Sequence, residues 1–214
     1  MTAVTPPPAD AEADKAPKRP RSRYSAQAGA AWQWWNAMQP QKRENGTTPG
    51  DRATLARLRR CSHPAELAVE PATAELFGKL KFDRSTATEG DIATAAVLAG
   101  VLSHIRTLSS GSLARTMGAR QGERAIVSAI RMKRFMAARE PEDVLRQFQR
   151  ILAMLGDTAD VRDVAASVLA WLDPSPAGDR ARTRFAFAYH GATLEGADDL
   201  EADETSSAVT SPEA

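Results

Sequence analysis

An all-α fold, a two-lobed bundle of about eight helices, is predicted by three features of the sequence. The body is rich in alanine, leucine and arginine, all strong helix formers, and only 6% of the chain is aromatic. Apolar residues recur at intervals of three and four, and no segment shows the alternating period or β-branched runs of strands. Helix starts are marked: Thr48-Pro49-Gly50-Asp51 and Thr88-Glu89-Gly90-Asp91 read as capping boxes, and Pro71 and Pro141 suit first helical positions.

The first helix is expected from about Ser25 to Met38, with Trp32, Trp34 and Trp35 supplying at least two core or interface anchors. Pro40 to Gly50 reads as a loop turning at Asn45-Gly46. The next helix, DRATLARLRRC, turns Leu55 and Leu58 inward and carries Arg52, Arg57, Arg59 and Arg60 outward. His63-Pro64 breaks it, and Pro71 opens a helix with Leu76, Phe77 and Leu80 as its apolar face. From Thr88 to about Leu108 the apolar residues go most of the way round, which predicts a central buried helix with a structural His104 near its end.

Ser109 to Ser112 reads as the link between the lobes, followed by a short helix at Leu113 to Met117. From Gly122 to about Arg139 the spacing predicts a basic amphipathic helix, with Ala125, Ala129, Met132 and Met136 on one face and Ile126 and Ile130 beside it. Pro141 opens a helix carrying Val144, Leu145, Phe148, Ile151, Leu152 and Leu155. Asp160 caps another ending near Trp171, and a last helix runs from Asp179 to His190. The expected organisation is a disordered tail at 1–24, lobes at 25–108 and 109–191, and an acidic disordered tail at 192–214.

Charge is unevenly shared along the 214 residues. The formal net charge is +1, yet residues 192–214 hold seven acids and no base, and Tyr24 to Gly191 holds 23 bases against 17 acids. Between Arg106 and Arg134 there are seven basic residues and one acid, Glu123. In a continuous helix Arg124, Arg131 and Arg134 fall within about 80° of one another, opposite the apolar stripe, with no acid one turn away to neutralise them. That pattern is either a solvated face or a surface for a polyanion.

Enzyme chemistry finds no purchase. There is no Gly-rich phosphate loop, no nucleophile elbow and no HExxH helix, and the three histidines are not spaced to pair with Cys61 or to hold a metal. The body's acids mostly sit at helix starts, where capping explains them. A binding protein with no catalytic residue, cofactor or metal is expected. A single cysteine, no signal-peptide core and no membrane-length apolar run lead to the expectation of a soluble, cytoplasmic protein without a membrane partner.

Two stretches together resemble a known family. AWQWWNAMQ followed by DRATLARLRRCSHPAEL is similar to the start of the CasB family, the small subunit of the type I-E CRISPR Cascade effector complex. GSLARTMGARQGERAIVSAIRMKRF, LRQFQRILAML and the closing RTRFAFAYHGA resemble its second half. The resemblance spans roughly Gln27 to Ala192; the 40–50 loop is longer than in some members, the Pro174 to Gly178 break is variable, and the acidic tail departs from the family pattern. It implies a non-catalytic, all-helical subunit of an antiviral ribonucleoprotein, present in two copies beside the other Cascade subunits. Its implied partners are the guide RNA and the target DNA, including the displaced strand. The positions matching the family's basic residues are Arg59, Arg60, Arg115, Arg120, Arg124, Arg131, Arg134 and Arg150. From a different class, the same arginines suit a helical protein–protein adaptor with a solvated basic face.

Overall fold

The computed structural model describes residues 24–43, 46–82 and 87–191, with backbone alone for 42–43 and 46–48. Both expected tails, apart from Tyr24, and Asn45 of the expected turn lie outside the described residues. Ten helices lie within them: α1 (Ser25–Ala37), α2 (Arg52–Arg60), α3 (Pro64–Ala68), α4 (Pro71–Leu80), α5 (Glu89–Ser103), α6 (Leu113–Gly118), α7 (Ala129–Ala137), α8 (Pro141–Met154), α9 (Val161–Leu172) and α10 (Pro176–Tyr189). The fold is all-α, as the composition and periodicity predict.

Three two-stranded ribbons accompany the helices. β1 (Gln41–Arg43) pairs antiparallel with β2 (Gly46–Thr48), where a loop turning at Asn45-Gly46 is expected from sequence. β3 (Thr107–Leu108) pairs parallel with β6 (Thr158–Ala159), and β4 (Arg120–Gln121) pairs antiparallel with β5 (Arg124–Ala125). Strands of two or three residues are too short to show a period, so hydrophobic patterning cannot reveal them.

Several helix ends differ from expectation. The N-cap of α2 is Asp51, whose carboxylate accepts from the Thr54 amide at 2.9 Å, so Thr48 belongs to a strand and no proline enters the helix. At α5 the expected box is present, with the Thr88 hydroxyl and the Asp91 carboxylate exchanging bonds with each other's amides. That helix ends at Ser103 rather than near Leu108, because Arg106 to Ser109 hydrogen-bond to the segment after α8 instead. Residues 122–128 are not helical: α7 begins only at Ala129.

Helix α5 organises the core. Ala95 to Ser103 are all buried, so the helix is surrounded on every side, chiefly by α3, α4, α8 and α9. A Cβ on Gly100 meets the Leu67 and Leu145 side chains at 2.6 and 2.9 Å, which is how closely α3 and α8 approach it. Its buried C-terminal carbonyls need partners. Arg59 Nε donates to the Ser103 carbonyl at 2.6 Å, and the Ser103 hydroxyl and His104 Nδ1 bond the Gly100 carbonyl at 2.8 and 2.9 Å.

A second focus is aromatic. Phe135, Phe148, Trp171 and Phe185, one each from α7, α8, α9 and α10, pack with ring centroids 4.7–5.7 Å apart. Trp171 also donates its indole N–H to the Phe135 carbonyl at 3.1 Å. Buried Arg182 completes this end by donating to the Ala170, Trp171 and Asp173 carbonyls of the α9 C-terminus at 2.6, 3.3 and 3.2 Å, while Asp179 balances its charge at 2.5 Å.

Helix α1 packs on α9, and Tyr24 is buried with its hydroxyl donating to Asp173 at 2.7 Å, although the sequence assigns that residue to the tail. The buried apolar residues form one cluster from Tyr24 to Tyr189, so hydrophobic packing crosses the boundary expected at Ser109 to Ser112. Of the tryptophans, Trp34 and Trp35 are buried, whereas Trp32 is half-buried beneath the Arg162 guanidinium, 4.6 Å from its ring centroid.

Helix α6 is tied to α9 at its start and to α10 at its end. The Leu113 amide at the start of α6 donates to Asp163 of α9 at 2.6 Å. At its other end Gly118 lies so close to α10 that a Cβ there falls 1.9 Å from the Tyr189 carbonyl oxygen.

Two expectations follow from this packing. Trp34 donates its indole N–H to the Ala72 carbonyl at 2.9 Å, whereas the Trp35 N–H has no acceptor among the described residues. Trp34→Phe should therefore destabilise more than Trp35→Phe, by about 1–3 kcal/mol for the orphaned carbonyl, in urea unfolding. Equal losses count against the assigned bond. Gly118→Ala should force α10 away from α6 and lower the melting temperature, whereas Gly122→Ala, which meets no neighbour but has a φ of +67°, should lose only about 1 kcal/mol.

Candidate nucleic-acid interface

Five of the eight expected arginines converge on one cleft. Arg115 of α6, Arg120 of β4, Arg124 of β5, and Arg131 and Arg134 of α7 line a depression of about 1180 Å³. Its remaining walls include Ser128, Ile130, Tyr189 and His190, and Glu123 is the one acid in the lining.

Local sequence explains how these side chains arrive. Gln121 and Arg124 close a two-residue turn with Gly122 first, at φ +67°, the arrangement a type II′ hairpin takes. The hairpin lifts Arg120 and Arg124 out of helix. Beyond it, the Ile126 amide donates to the Ala119 carbonyl at 2.9 Å and the Val127 amide to Met117 at 3.0 Å, tying the segment to the end of α6. The Tyr189 hydroxyl donates to the Val127 carbonyl at 2.6 Å, a buried bond joining α10 to the cleft floor.

Helix α7 is shorter and differently rotated than expected. Its buried side chains are Met132 and Phe135, while Ala129 and Ile130 are exposed. Each buried residue follows an arginine by one position, so the Arg131–Arg134 stripe lies about 100° from the buried one rather than opposite it. Arginines at that angle sit where the helix meets its neighbours, which is why they line a concavity. Arg124 reaches the same cleft from a strand, not from the helical face the spacing suggested.

Charge in the cleft is poorly neutralised. Arg120, Arg124, Arg131 and Arg134 form no ion pair among the described residues, and all four are exposed. Arginine keeps its charge at any physiological pH and presents a planar fork of donors that fits phosphate oxygens.

Three expected residues lie elsewhere. Arg59 is half-buried and closes the end of α5; burial above all, and the Arg106 charge beside it, push its guanidinium below the ordinary arginine range, with Asp157 opposing. Arg60 and Arg150 are exposed on α2 and α8, outside the cleft lining. Missed by the sequence reading were Ser128 and His190 as cleft residues, since nothing in the sequence signals that residue 190 folds back beside residue 120.

Burial first, then the Glu70 and Glu66 carboxylates, push the Cys61 thiol upward, and its Sγ lies 3.4 Å from the Arg57 carbonyl. Among the described residues no group of three or more His, Cys, Asp and Glu is placed to hold a metal, and no helix is long and apolar enough to cross a membrane.

Compared with known proteins, the chain matches the family described as CRISPR-associated protein Cse2 over residues 54–190. The match begins in α2, ends with α10 and includes every element that builds the cleft. No curated protein and no solved structure matches the chain. Because the family match covers well over half of the sequence, the chain belongs to the Cse2 family, also called CasB, the small subunit of the type I-E CRISPR Cascade complex.

Proposed function

We propose that this Cascade subunit binds nucleic acid without chemistry of its own, holding the guide RNA/target DNA duplex and the displaced strand by their phosphates in the cleft of Arg115, Arg120, Arg124, Arg131 and Arg134. The observation that carries the reading is the convergence of five guanidinium groups, from four separate elements, on a concavity lined by one carboxylate. A subunit that serves any guide and any target gains nothing from reading bases. Arginines on a packed frame contact phosphates whatever the sequence, and counterion release makes that affinity fall with salt. Strand exchange at a target is nearly balanced in energy, so modest backbone contacts shift it toward the open state.

Within this reading Arg59 is a structural cap, and Arg60 and Arg150 belong to separate exposed surfaces. A second copy of the subunit could continue the basic track along the complex.

Arg131→Ala/Arg134→Ala should leave the melting temperature near that of the parent, since both side chains are exposed. Against unrelated single-stranded oligonucleotides it should weaken binding about equally for all, and the slope of log affinity against log salt should fall by roughly 1 per lost phosphate contact. An unchanged slope, or a loss confined to one sequence, returns the arginines to the solvated face of a protein–protein adaptor. Arg59→Ala should do the reverse: it should lose about 1.5–3 kcal/mol of stability, the value of a hydrogen bond from a charged group, and leave the salt slope alone.

A further inference from the structure

We propose that the acidic segment 192–204 of this same chain docks in the arginine cleft and competes there with nucleic acid. The competition rests on the function proposed above; the docking does not.

Three observations converge on this occupant. The first is position: His190 and Gly191, which line the cleft, are the residues from which the acidic segment continues. The segment from Ala192 to Glu204 is thirteen residues long and can extend at most about 45 Å from Gly191. The second is charge. Five arginines and one carboxylate line the cleft, while Glu195, Asp198, Asp199, Glu201, Asp203 and Glu204 lie on a segment without a base. The third is apolar. Ile130 is 67% exposed in the cleft wall, among guanidinium groups. Phosphate chains make little use of such a side chain, whereas Leu194 and Leu200 stand among the acids at intervals that offer it a partner.

Tethering makes weak docking effective. A segment joined by a short linker faces its site at an effective concentration on the order of 1 mM. With an intrinsic affinity of roughly 0.1–1 mM, occupancy of the cleft weakens binding of a free strand ~2- to 10-fold. Carboxylates paired with exposed arginines are screened by salt, so the block should fade as ionic strength rises.

The test uses the full chain. A nitroxide on Ala202→Cys in a Cys61→Ser background should broaden the backbone amide signals of residues 118–134 in solution NMR. The broadening should vanish when the six acids are replaced by their amides, and in Arg131→Ala/Arg134→Ala. No broadening in the parent, or broadening indifferent to both changes, overturns the docking. The amide-substituted chain should also bind single-stranded oligonucleotides ~2- to 10-fold more tightly than the parent at low salt, the two converging at high salt. Equal affinities throughout overturn the competition. If neither chain binds oligonucleotides in a salt-dependent way, the proposed function falls and the competition with it, while the NMR result still decides the docking.

Discussion

A helix surrounded on every side needs somewhere for its last carbonyls to go, and much of this molecule follows from how α5 meets that need. Water cannot reach the end at Ser103, so side chains satisfy it: the Arg59 guanidinium, the Ser103 hydroxyl and the His104 ring. α9 poses the same problem at Trp171, and buried Arg182 answers it. Two arginines are thus committed to backbone carbonyls before any ligand is considered. In an arginine-rich chain, that separates guanidinium groups that hold the fold together from those that remain available.

The available group is collected by packing rather than by sequence order. Phe135, locked among Phe148, Trp171 and Phe185, fixes the rotation of α7 and hence the direction of Arg131 and Arg134. Gly122 turns the hairpin that carries Arg120 and Arg124. Gly118 lets α6 and α10 approach closely enough to close the floor beneath them. None of these three residues carries charge, yet together they set where the charge goes.

Most of the helical frame was legible in the sequence, because capping residues, prolines and a 3.6-residue period are local signals. The Thr88–Asp91 box, Pro141 and Asp160 appear where the sequence puts them. Less legible was what depends on a partner far along the chain. The Gly122 hairpin reads as helix from sequence because arginine, alanine and isoleucine at 124–126 fit both forms, and the ties from Ile126 to Ala119 and from Val127 to Met117 decide between them. Arg59 was grouped with the basic surface because a cap on Ser103, 44 residues away, leaves no local trace. The sequence pattern sets Arg124, Arg131 and Arg134 along one helical face; the structure brings them to one cleft from a strand and a helix, by tertiary folding.

The bond from Tyr189 to the Val127 carbonyl has a consequence for biosynthesis. Every other wall of the cleft is encoded before residue 135, but the wall contributed by α10 leaves the ribosome some fifty residues later. Chains fold from the N-terminus as they emerge, at roughly 5–20 residues per second. For several seconds the nascent polypeptide therefore carries its arginines without the concavity that gathers them, close to an organelle made largely of RNA. The finished cleft forms only once the last helix has closed over it, and the acidic segment is the next part of the chain to emerge.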